Sequence, residues 1–298
     1  MQGSLETRDP AFDRIIDRRS EVVAVATGFQ RAEAPVLGRL GVLLFADPAA
    51  GRILQYAIPP CKIGPAEGSL GIVSRESNRA QGLTLDHQGR LLVSEGGPGR
   101  VVRHEPDGSV TVLASHYRDL RLSGPADLVY AIDGSVYFAD SPRRGDSARA
   151  GRTGLARLYQ ITPAGELRMA ARECDRPAGV GLGPRQLDLF VTDSARNNIR
   201  VFPIAPDGAL LPSRVFAELA TDQPGRAGGI KTDEEGNVYA AGPGGIWVFN
   251  RDGLHLGTIL LPEPPSNLCW GRGFLGLYMT ARKSLYYVHT RVPGTRTF

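Results

Sequence analysis

AIDGSVYFAD, residues 131–140, sets an Asp-Gly turn directly ahead of a short β-rich run. The phrase decides the fold because it recurs. DHQGRLLVSE (86–95), EPDGSVTVLA (105–114), TPAGELRMAA (162–171), APDGALLPSR (205–214), DEEGNVYAAG (233–242) and NRDGLHLGTI (250–259) repeat it. A turn glycine before a run rich in β-branched and aromatic residues is a hairpin signal. The turns fall into two interleaved series. Gly89, Gly134 and Gly236 precede strands that end in an acid or small residues, while Gly108, Gly165, Gly208 and Gly253 precede strands leading to the next unit.

Within a series the spacing is roughly 45 to 55 residues, the length of a four-stranded propeller blade. The expected architecture is all-β: a six-bladed propeller of antiparallel four-stranded blades around a central tunnel. The blades are placed at residues 29–60, 69–117, 121–172, 176–218, 226–262 and 266–291. EVVAVATG (21–28) is the strand that closes the ring, and residues 1–20, with FDRIIDRR, form an arm or short helix. Residues 21–298 are thus one domain.

Composition agrees. In 298 residues, 37 Gly and 22 Pro accompany 7% aromatics and 42% apolar residues, which suits many short strands and tight turns. The formal charge of +4 comes from scattered arginines and does not argue for a nucleic-acid partner. Cys61, Cys174 and Cys269 are odd in number, far apart and in no CxxC pair, so neither a disulfide framework nor a zinc site is expected. The N-terminus carries acids and no apolar core, and no apolar run approaches the ~20 residues of a membrane span. The expectation is a cytoplasmic protein with no membrane partner. The five histidines are dispersed, and H-E-x-x-H, G-x-S-x-G and GxxxxGK[ST] are absent.

Five phrases carry a resemblance: GFQRAEAPVLGRLGVLLFADPAAGRILQY (28–56), NRAQGLTLDHQGRLLVSEGG (78–97), RLSGPADLVYAIDGSVYFADS (121–141), RPAGVGLGPRQLDLFVTDS (176–194) and SNLCWG (266–271). In this order, over about residues 22 to 292, the chain resembles the senescence-marker-protein/gluconolactonase family, which includes luciferin-regenerating enzymes. The resemblance implies six blades with one divalent metal, often calcium, at the top of the tunnel. There it polarises a lactone or ester carbonyl as a Lewis acid.

Carried over residue by residue, the resemblance implies a depleted site. Glu33 in AEAPVL matches the family's glutamate ligand, with Ala34 in place of the usual Gly and Leu37 in place of Trp. Ala126 in GPADLV and Ala178 in RPAGVGL stand where the family has asparagines, and Gly228 in GRAGGIKTD stands where it has the aspartate ligand and acid/base. A hard cation needs six or more oxygen donors, so no cofactor is expected, with calcium or another divalent ion as the alternative. Gln81-Gly82-Leu83 and Ser94-Glu95-Gly96-Gly97 also depart from the family's phrases.

Without a cation, Glu33 is the candidate general acid or base, its pKa raised by desolvation. Arg121, with Ser123 and Gln81, is placed as a clamp for a substrate carboxylate or carbonyl. Glu95 and Asp193 are candidate substrate contacts whose alternative role, shared with Asp140, is to cap turns at strand ends. The Arg/Gly/Ser loop 141–157 reads as a lid or a solvated loop. The expected substrate is a small molecule, anionic or a cyclic ester. Three readings remain: a lactone or ester hydrolase; a metal-independent isomerase, cyclase or lyase acting on a less polar substrate; and a non-catalytic binding propeller. An enclosed pocket with Glu33 exposed to its interior points to the enzymes, and a tunnel plugged by side chains points to the third.

Overall fold

The computed structural model describes residues 2–38, 41–57, 68–142 and 156–296. Cys61 and all but the ends of loop 141–157 lie outside them. Among the described residues the strands form six antiparallel sheets of the propeller kind. The first strands of the six blades are Glu33–Leu37, Ala80–Leu85, Pro125–Tyr130, Pro177–Leu182, Ile230–Thr232 and Pro265–Trp270. Each touches the next, and Pro265–Trp270 returns to Glu33–Leu37, so the inner ring is closed. Val23–Thr27 pairs with Ser284–His289 and completes the sixth blade from the N-terminal side. Closure removes the open sheet edges that an all-β chain otherwise exposes.

Two boundaries differ from the sequence reading. Ser69–Ser74 is the outer strand of the first blade, pairing with Arg52–Ala57, so the second blade begins only at Ala80. The N-terminal arm holds a helical turn, Phe12–Ile15, but Ser4–Thr7 also adds a fifth strand to the blade containing His255–Leu260. Phe12, Ile15 and Ile16 are buried among Tyr239, Ile246, Leu256 and Val288, which fastens the arm across the fifth and sixth blades.

Neighbouring inner strands approach too closely for a side chain at some positions. A Cβ on Gly179 would lie 2.2 Å from the Gly228 carbonyl oxygen, and one on Gly82 would lie 2.4 Å from that of Ala126. Hydrogen bonds cross the same seams. The Thr192 hydroxyl donates to the Gly228 carbonyl (2.6 Å), Thr232 to that of Leu182 (2.8 Å) and Ser266 to that of Ala32 (2.7 Å).

An acid at the end of the second strand holds the backbone that enters the first. Asp47 accepts from Gln30 N (3.1 Å) and Arg31 N (3.0 Å), Asp140 from Ser123 N (2.9 Å) and Gly124 N (2.6 Å), and Asp193 from Asp175 N (2.6 Å) and Arg176 N (3.1 Å). Burial opposes ionisation of Asp47, but these amides and Arg52 outweigh it and hold its pKa below the usual carboxylate value. A depressed native pKa contributes stability above the unfolded value of about 4 that is lost as pH falls through the native one. Melting followed by circular dichroism should therefore show Asp47→Asn clearly less stable than the parent at pH 7, with the gap narrowing as pH falls below about 4. An unchanged gap would count against the ionised role.

Candidate active site

The six inner strands share one register, so equivalent residues form rings around the tunnel. The second position of the repeat is occupied by Glu33, Gln81, Ala126, Ala178, Gly228 and Ser266, and all six line one pocket of about 440 Å³. Five of the six inner strand pairs carry a register shift at this level, as between Glu33 and Val36 and between Pro125 and Leu128. Such bulges re-aim side chains at the rim of a sheet, and here the next residues Asp127, Gly229 and Asn267 also line the pocket. Ala34, in the place of the family's glycine, takes a left-handed φ of 50°.

Glu33 keeps 17% of its side-chain surface exposed, and its Oε1 accepts from Arg31 Nε at 2.9 Å. Desolvation pushes its pKa up. The Arg31 charge and hydrogen bond and the Ser266 hydroxyl pull it back, and the Asp127 charge adds to the rise. Asp127 is buried and also raised by desolvation, against the pull of Lys231, the Val180 amide at 3.2 Å and Asn267. Two carboxyl groups thus share one pocket, each disfavoured as an anion by burial. Arg31, Arg176 and Arg226 stand around them and make the wall cationic.

Arg121, Ser123, Glu95 and Asp193 are not among the residues lining this pocket. Arg121 is exposed on a ribbon of His116–Tyr117 with Leu120–Arg121. Ser123 is buried, and its amide is held by Asp140. Glu95 accepts from Asn78 Nδ2 at 2.9 Å and pairs with Arg100. Asp193 is fully buried beneath the backbone amides it holds. These carboxylates are consumed by the scaffold.

Asp127, Arg31, Arg176, Arg226 and Asn267 escaped the sequence reading as site residues. Asp127 and Asn267 each follow a position of the ring, Ala126 and Ser266, and the bulge that turns both members of a pair toward the pocket leaves no mark in composition. Below this ring, Val36, Thr84, Val129, Gly181, Lys231 and Cys269 line a second cavity of about 230 Å³. The tunnel is therefore divided into two chambers.

Toward a hard cation, Glu33, Gln81, Asp127, Ser266 and Asn267 offer side-chain oxygens while Ala126, Ala178 and Gly228 offer none; the Arg31 guanidinium already sits on Glu33, and no group of three or more His, Cys, Asp or Glu fit to hold a metal occurs among the described residues.

Comparison with known proteins gives a consistent set of similarities. Residues 75–283 match the family model described as the SMP-30/Gluconolactonase/LRE-like region. A gluconolactonase of Zymomonas mobilis is 28% identical over 314 residues, covering 98% of this chain and 87% of that protein. Among solved structures, one described provisionally as a gluconolactonase has a TM-score of 0.86 at 26% identity, covering 98% of this chain and 100% of the other. XC5397 from Xanthomonas campestris, described as a gluconolactonase, has a TM-score of 0.84 at 23% identity, covering 96% and 95%, and shares the fold.

Proposed function

Because the chain belongs to the SMP-30/gluconolactonase/LRE-like family, we propose that it hydrolyses a small anionic lactone in the arginine-lined upper chamber, with Glu33 as general base and no metal ion. One observation carries this reading: Glu33 lies on the wall of an open pocket, with its pKa raised by desolvation and its carboxylate held by Arg31. A base of this kind is most effective when its pKa approaches the working pH.

Glu33 accepts a proton from a water molecule as the water oxygen bonds to the lactone carbonyl carbon. The tetrahedral oxyanion is met by N–H donors of Gln81 or of a wall arginine. When the ring C–O bond breaks, the leaving oxygen takes the proton back from Glu33, giving the open hydroxy acid. The missing side-chain oxygens at Ala126, Ala178 and Gly228 support the metal-free route. Arg176 and Arg226 would hold an extra carboxylate on the substrate.

The test is a pH-stat assay of sugar-acid lactones, neutral and carboxylated, with and without chelator. Turnover should survive chelation, and Arg226→Met should raise KM for the carboxylated lactone alone. Loss of all turnover on chelation overturns the metal-free route, and failure to open any lactone overturns the hydrolase.

A further inference from the structure

We propose that the lower chamber is a separate binding site for a small apolar monocarboxylate, held by the Lys231 ammonium. The cavity is smaller and more enclosed than the upper one, about 230 Å³ against 440 Å³. Leu83, Leu128, Leu182, Trp270 and Phe274 give it a largely apolar wall. Lys231 is the only charged member of its ring, facing Val36, Thr84, Val129, Gly181 and Cys269.

The state of that ammonium argues for a ligand. One of its N–H groups donates to the carbonyl of its own neighbour Ile230 at 3.0 Å, and among the described residues it forms no ion pair. Asp127, a carboxyl that feels its charge, lies on the wall of the upper chamber. Lys231 is partly buried, and a partly buried cation without a salt-bridge partner gains when an anion joins it. Asp86 and Arg296 also reach this lining, Asp86 already engaged by Arg90 at 2.7 Å, and the apolar walls around the Lys231 ammonium suit a carboxylate on an apolar body. The volume lies below the ~300–1,000 Å³ of drug-sized pockets, which selects a compact acid. The Trp270 indole, whose N–H donates to the Thr232 carbonyl at 2.8 Å, lies on the wall as a built-in reporter.

The probe is benzoate, with benzyl alcohol as its neutral counterpart, titrated into the full chain. Binding is followed at the two indole N–H resonances and by calorimetry. Benzoate should shift Trp270 and leave Trp247 in place, since the Trp247 N–H is held by the Pro243 carbonyl in the fifth blade. It should bind at least tenfold tighter than benzyl alcohol. Lys231→Met should weaken benzoate at least tenfold and leave benzyl alcohol unchanged, while Lys231→Arg should retain benzoate. If Lys231→Met fails to fold, the wild-type comparison of the two probes still decides. Equal affinities for them, a response at Trp247 in place of Trp270, or no response to millimolar benzoate overturns the proposal.

Discussion

Glu33→Gln should lower lactone turnover by about 10²- to 10⁴-fold and at the same time raise the melting temperature at pH 8. The first effect follows from removing the base while keeping the size and one hydrogen-bonding oxygen of the side chain. The second follows from linkage. Desolvation lifts the native pKa of Glu33 above its unfolded value despite Arg31. The stability tied to this carboxyl is fully present below the unfolded pKa and is lost as pH rises through the native one. At pH 8 the native state therefore bears the cost of a half-buried anion, which the amide removes. At pH 4 the two proteins should melt together. Arg31 loses its partner, but it is 52% exposed and hydrates readily. Retained turnover would eliminate Glu33 as the base. A lower melting temperature at pH 8 would mean that the pair with Arg31 outweighs desolvation.

Gly228→Asp, which reinstates the acid expected from the family, should destabilise the protein by about 1–3 kcal/mol and fail to create a calcium site. A Cβ at this position would lie 2.4 Å from the Ser266 carbonyl oxygen and 3.4 Å from the Ala241 methyl. The strand cannot yield easily. Gly228 N donates to the Ala241 carbonyl at 2.9 Å, Gly229 N donates to that of Ser266 at 2.8 Å, and Thr192 holds the Gly228 carbonyl. Adding Ala126→Asn and Ala178→Asn supplies oxygens but not the space for the aspartate. Calorimetric titration with calcium chloride should be silent for the single and the triple variant, and melting should fall by roughly 2–5 °C. Stoichiometric calcium binding at an unchanged melting temperature would show that the seam between the fifth and sixth blades relaxes at little cost.

The amino-acid sequence determined the blade repeat. A glycine in a hairpin turn acts through the few residues on either side, so Gly134 or Gly236 announces its strands whatever the rest of the chain does. The closing strand was legible for the same reason, as a β-rich run with no partner of its own near the N-terminus. Ser69–Ser74 reads as part of the second blade because no hairpin phrase in the sequence ties it to Arg52–Ala57, its partner in the sheet. The positions of Glu33, Gln81, Ala126, Ala178 and Gly228 could be placed from the matching phrases.

Tertiary structure alone decided which side chains serve the tunnel. Glu95 and Asp193 look like site acids in the chain, yet backbone amides and neighbouring side chains consume them, because the loops entering their blades must be fastened there. Asp127 and Lys231 stand in short phrases with nothing to mark them, more than one hundred residues apart. The closed ring and the inner bulges set them at one partition, each toward its own chamber. Turn chemistry is local and can be read from neighbours, whereas the lining of a tunnel depends on strands that meet only when the ring is complete.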